Sequence, residues 1–119
     1  MIQAENNLYN STKELKILNF YSDWCPPCHA FMPNFIAAEK TFWKDFDFIS
    51  INTWLNMELS TKFRVRWTPT IIIMKNEEIV YNKAWVPNWW ELKEIMNKLI
   101  WEKSTVKNEN KKKFFWLFW

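Results

Sequence analysis

A compact domain needs residues that can reach positive φ at its turns and helix ends, and glycine reaches it without steric cost. This chain has none. At an average usage of about 7%, a chain of this length carries roughly 8 glycines. Here 119 residues hold no glycine and ten tryptophans. One hypothesis accounts for both anomalies: several of the tryptophans are translated UGA codons that the source organism reads as glycine. The idea can be checked position by position.

The length is that of one domain, large enough to bury a core without staples. With 49% hydrophobic and 24% charged residues, the chain reads as a soluble globular protein. No apolar run reaches the roughly 20 residues of a membrane-spanning helix, so no membrane span is expected. The start, MIQAENNLYN, lacks the basic and apolar regions of a secretory signal. A cytoplasmic location is therefore expected. From Lys103 onward five lysines stand against Glu109, a net of +4 that leaves residues 1–102 at −1. The folded part is near neutral, which argues against a nucleic-acid partner. These features suggest a domain over residues 1–102 and a lysine-rich tail over 103–119, KSTVKNENKKK followed by FFWLFW, without regular structure. The tail's paired basic and aromatic groups leave an extracytoplasmic or membrane-associated setting as the alternative.

The element order follows from periodicity. KILNFY, 16–21, is a β-rich apolar run, and FDFISIN, 46–52, is a second. Between them Phe31, Phe35, Ala38 and Phe42 recur at helical spacing, which predicts a helix from Cys25 to about Trp43 with a kink at Pro33. Asn56 offers an N-cap to a short helix ending at Phe63. TIIIMK, 70–75, turns at Asn76 and Glu77 into EIVYNK, a hairpin. Asn88 and Glu91 form a capping box ahead of Leu92, Ile95, Met96 and Leu99. Strand, helix, strand, helix, hairpin and closing helix together predict an α/β fold, a central mixed β-sheet with helices on both faces.

Both cysteines of the chain lie in DWCPPCHAF, 23–31. A close pair in an intracellular chain points to redox chemistry or metal, and CPPCH also fits the pattern of haem attachment. Placement favours redox. Cys25 follows a strand and opens a helix, where the partial positive charge and unsatisfied N–H groups favour thiolate over thiol. Cys25 is thus the candidate nucleophile. Cys28, one turn on and on the same face, is the candidate resolving thiol. Pro26 sits at the first helical position, where its missing N–H costs nothing. Pro27 removes a second N–H that could have served the Cys25 sulfur.

NFYSDWCPPCHAFMP resembles the active-site segment of the thioredoxin superfamily, with Trp24 before the nucleophile and Pro33 five residues after Cys28. VRWTPT, 65–70, resembles that family's cis-proline loop, the proline here being Pro69. The likeness covers residues 15 to 101. It implies a thioredoxin-like fold and a protein-disulfide oxidoreductase reducing its clients through Cys25 and Cys28. It also implies a substrate groove of Trp24, Pro26, Thr68 and Pro69, in which the backbone of Thr68 pairs with an extended peptide. Implied partners are disulfide-containing proteins and an upstream reductase, with the chain acting as a monomer. Alternatives are an oxidant or isomerase, or a non-catalytic binding module. Haem would need export and a second axial ligand, and structural zinc wants four ligands where His29 alone could join the thiolates, so no cofactor and no metal are expected.

Two departures stand out. The buried aspartate of thioredoxins, six residues before the nucleophile, is Asn19, which cannot act as a base, and its lysine partner is matched by Ser50. Asparagine there, with CPPCHAFMP, is similar to the membrane-tethered thioredoxin-like reductases of cytochrome maturation. Meanwhile Trp67, Trp85 and Trp90 fall where the superfamily usually has glycine, and Trp24 falls where it has tryptophan. His29 and Asp23 read as solvated residues beside the pair.

Overall fold

The computed structural model of the chain describes residues 7–85 and 88–116, with side chains described as far as residue 103. It divides into two units, Met1–Pro87 and Asn88–Trp119. The first holds a helical turn at 7–9, then β1 (Leu15–Tyr21), α1 (Pro26–Phe42), β2 (Phe46–Asn52), α2 (Met57–Lys62), β3 (Thr70–Lys75) and β4 (Glu78–Ala84). The second holds α3 (Trp89–Trp116).

Four strands form one mixed sheet in the order β2-β1-β3-β4. β1 pairs parallel with β2, as a strand-helix-strand crossover requires, and antiparallel with β3. β1 is therefore interior, and its apolar run is buried on both faces: Leu15, Ile17, Leu18 and Phe20 are all at most 1% exposed. Alternation assigns each residue to a face. Leu18 and Phe20 join Ile49, Ile51 and Ile72 in a cluster with Leu8, and with Leu59 of α2. Phe63, just after α2, lies 5.6 Å from the Phe20 ring.

The opposite face belongs to α1. Its buried residues Cys28, Phe31, Phe35, Ala38 and Phe42 repeat every three or four positions, one stripe along the helix. Phe35 meets Phe48 edge-on at 5.3 Å, and Phe42 meets Phe46 at 6.2 Å. The expected mixed sheet with helices on both faces is thus present within the first unit. α1 continues through Pro33 as one assigned helix.

Two local expectations need revision. Asn56 stands at the N-cap of α2 but makes no side-chain cap bond. Its Nδ2 donates instead to the carbonyl of Asn52 at 2.9 Å, because the chain between them folds back on itself. In the second unit, Asn88 does cap α3, its Oδ1 accepting from the Trp90 amide at 2.9 Å. The α3 backbone carries on into the segment from residue 103 for which the sequence predicts no regular structure.

The missing glycines leave a trace in the backbone. Among the described residues Arg64, Asn76 and Trp85 hold φ of 56°, 58° and 69°. Arg64 lies one residue past the end-cap of α2, a common glycine site, and Asn76 makes the hairpin turn, where asparagine is tolerated.

Phe20 is fully buried between the sheet and α2. Phe20→Ala is expected to lower stability by about 3–5 kcal/mol, read from the shift of the urea unfolding midpoint at constant slope.

Candidate active site

β1 ends at Tyr21, and after four intervening residues the chain starts α1. The loop between is held at several points. Tyr21 O accepts from Thr53 N at 2.9 Å, and Asp23 Oδ2 accepts from Asn52 Nδ2 at 3.2 Å. Asn52 Oδ1 in turn accepts from the amides of Trp54 and Leu55, at 3.0 and 3.3 Å. Asn52 is 6% exposed, so one side chain at the end of β2 ties two loops together. Asp23, read from sequence as a solvated loop residue, has a structural partner. The sequence carries no signal for that pairing beyond a polar residue at a strand end.

Cys25 is the N-cap of α1. With prolines at the first two helical positions, the first N–H the helix can offer is that of Cys28, and it donates both to Cys25 Sγ at 3.2 Å and to Cys25 O at 3.0 Å. The two sulfurs are joined as a disulfide, with Cα atoms 5.2 Å apart. Cys25 is 7% exposed and Cys28 2%, so both are mostly covered in this oxidised form. His29 turns away from the pair, its Nε2 lying 2.8 Å from Asp23 O.

The covering comes in part from the loop before β3. Thr68–Pro69 is a cis peptide. Thr68 O lies 3.4 Å from Cys25 Sγ, and Thr68 Oγ1 lies 3.3 Å from Ser22 Oγ. The sheet explains the meeting: Phe20 of β1 pairs with Thr70 of β3, so the segments just beyond each lie side by side. Pro69 O accepts from the Trp85 amide at 2.8 Å, which fixes the end of β4 to the same loop. Trp24 stands 91% exposed beside Cys25, and Pro26 is exposed next to it.

Asn19 sits in mid-β1, opposite Ser50 and Ile71, and is 1% exposed. Its parity places it on the α1 face. Both its amide nitrogen and its oxygen lack a hydrogen-bond partner among the described residues. Among those residues, no group of three His, Cys, Asp or Glu side chains is placed to hold a metal ion. No described helix is long and apolar enough to cross a membrane.

Comparison with known proteins agrees with this geometry. The thioredoxin family model matches residues 3–98. A thioredoxin of Mycoplasmoides gallisepticum is 28% identical over 79% of this chain and 93% of its own length. The solution structure of the oxidised thioredoxin from Plasmodium falciparum superposes with a TM-score of 0.69 at 28% identity, covering 82% of this chain and 91% of that one. The germline-specific thioredoxin Deadhead of Drosophila melanogaster shares the fold, with a TM-score of 0.75 at 21% identity over 83% of this chain and 93% of its own.

Two substitutions separate structural from chemical roles here. Asn52→Ala strands the Trp54 and Leu55 amides and is expected to cost about 1–3 kcal/mol in denaturant unfolding. Asn19→Leu removes two buried polar atoms without partners and is expected to raise stability by a similar margin, about 1–3 kcal/mol in the same assay.

Proposed function

Because this chain belongs to the thioredoxin family and is a thiol-disulfide oxidoreductase, we propose that Cys25 is the sulfur that attacks its substrates' disulfides and Cys28 the one that resolves the adduct. The observation that carries this is the position of Cys25 Sγ: at the N-terminus of α1, within reach of the Cys28 amide, and beside the Thr68 carbonyl. A helix N-terminus favours the charged form of a sulfur placed there, and the thiolate is the form that attacks a disulfide.

The cycle balances as follows. An upstream dithiol delivers two electrons and two protons and opens the Cys25–Cys28 bond. Cys25 thiolate attacks one sulfur of a substrate disulfide, that bond breaks, and the departing substrate sulfur takes a proton. A mixed disulfide links Cys25 to the other substrate sulfur. Cys28, 5.2 Å away between Cα atoms, loses its proton and displaces the second substrate thiol, and the internal disulfide returns.

Trp24, Pro26, Thr68 and Pro69 form the rim on which an extended client backbone lies. Trp24 and Pro26, the chain neighbours of Cys25, present exposed apolar surface, and the Thr68 carbonyl lies 3.4 Å from its sulfur. The net direction is reduction of client proteins in the cytoplasm, a setting that suits a chain whose two cysteines both belong to the working pair.

The roles are tested by trapping. Cys28→Ser is expected to accumulate a covalent client complex that dithiothreitol releases. Cys25→Ser is expected to abolish turnover of insulin disulfides. A Cys25→Ser protein that still reduces insulin contradicts the assignment.

A further inference from the structure

The fold treats its two large aromatic residue types in opposite ways. Phe20, Phe31, Phe35, Phe42 and Phe46 are each 5% exposed or less. Tryptophan, which is on average highly buried, behaves otherwise. Trp24, Trp43, Trp54, Trp67, Trp85, Trp90 and Trp101 are all exposed, and Trp89 is half-buried, so no tryptophan with a described side chain is in the core. A bulky apolar residue that never packs inward is not being placed by its own chemistry.

Trp85 adds a backbone argument. Its φ of 69° lies in the left-handed region, where a Cβ crowds the backbone and where a bulky residue is an outlier. The Trp85 amide donates to Pro69 O at 2.8 Å directly after β4, which fixes the peptide plane entering residue 85. The chain that leaves β4 takes its direction from this φ. Only glycine meets that demand without steric cost. Trp67 lies two residues before Pro69 on the other side of that bond. It is 59% exposed, and its ring leans edge-on against Trp85 at 5.8 Å. Both rings project from positions whose backbone, not side chain, serves the structure: Trp67 through its carbonyl, which accepts from Thr70 Oγ1, and Trp85 through its amide.

We infer that positions 67 and 85 are glycine in the working molecule, encoded by UGA codons that the source organism reads as glycine, and that the aromatic pair beside Pro69 is absent there. Trp24, adjacent to Cys25, remains tryptophan. The rim on the Pro69 side is then bare backbone, open to close approach by an extended chain, rather than a wall of two indoles. The absence of glycine from a chain with ten tryptophans is the same fact seen in composition.

Two measurements test this, and neither reads redox activity, so their failure leaves the thiol chemistry untouched. Protein purified from its own host is digested, and the peptides spanning residues 67 and 85 are sequenced by tandem mass spectrometry. Glycine at both is expected, with UGA in the gene; tryptophan at either, encoded by UGG, overturns the inference. In the protein made with tryptophan throughout, Trp85→Gly is expected to unfold at a higher denaturant midpoint than both the parent and Trp85→Ala. An alanine variant equal to or more stable than the glycine variant shows that the backbone makes no demand for glycine, and overturns it as well.

Discussion

The site depends on one junction, the passage from the end of β1 into the first turn of α1. β1 is interior and buried on both faces, so its end is fixed in space before any catalytic group is considered. α1 is fixed in turn by the Phe31, Phe35 and Phe42 stripe against β2. With both elements held, the helix N-terminus has a single place to be, and Cys25 occupies it. The two prolines sharpen the arrangement. By removing the first two N–H groups they leave the Cys28 amide as the first donor in the helix, shared between the Cys25 sulfur and carbonyl. A local field, one amide and a neighbouring thiol are then all within one turn.

The second half of the site reaches the first through the sheet. β3 runs antiparallel to β1, so the loop that precedes β3 arrives where β1 ends. That brings the Thr68 carbonyl to the Cys25 sulfur across 43 residues of sequence. In the oxidised protein Cys25 has no proton to donate, so this approach is a close contact rather than a hydrogen bond. Asn52 performs the corresponding task on the other side, holding the loop before Cys25 to the loop after β2.

Much of this was legible in the sequence, because it is written in local pattern. FDFISIN and TIIIMK coincide with their strands and the CPPC spacing puts both sulfurs on one helical turn, while the cis-proline is implied by the resemblance of VRWTPT to the family's loop. What escaped depends on partners far away along the chain. Asn52 and Asp23 are 29 residues apart, and no periodicity couples them. The covering of Cys25 likewise comes in part from a loop that only the sheet topology brings near. Asn56 fits the pattern of a cap, yet its side-chain amide donates to the carbonyl of Asn52 at the end of β2, because the chain between them folds back on itself. Asn19 departs from the family's aspartate in the sequence itself, but only the fold shows that both of its polar atoms lack partners among the described residues.

The proposed role of Cys25 requires the start of α1 to keep its sulfur charged when the disulfide is open. The direct measurement is the thiolate absorbance of the reduced protein followed through a pH titration, with Cys25→Ser as the reference that removes this sulfur alone. A titration step well below that of an ordinary thiol, absent from Cys25→Ser, is the predicted result. A Cys25 that ionises no more readily than free cysteine, or a low step that survives in Cys25→Ser, contradicts it.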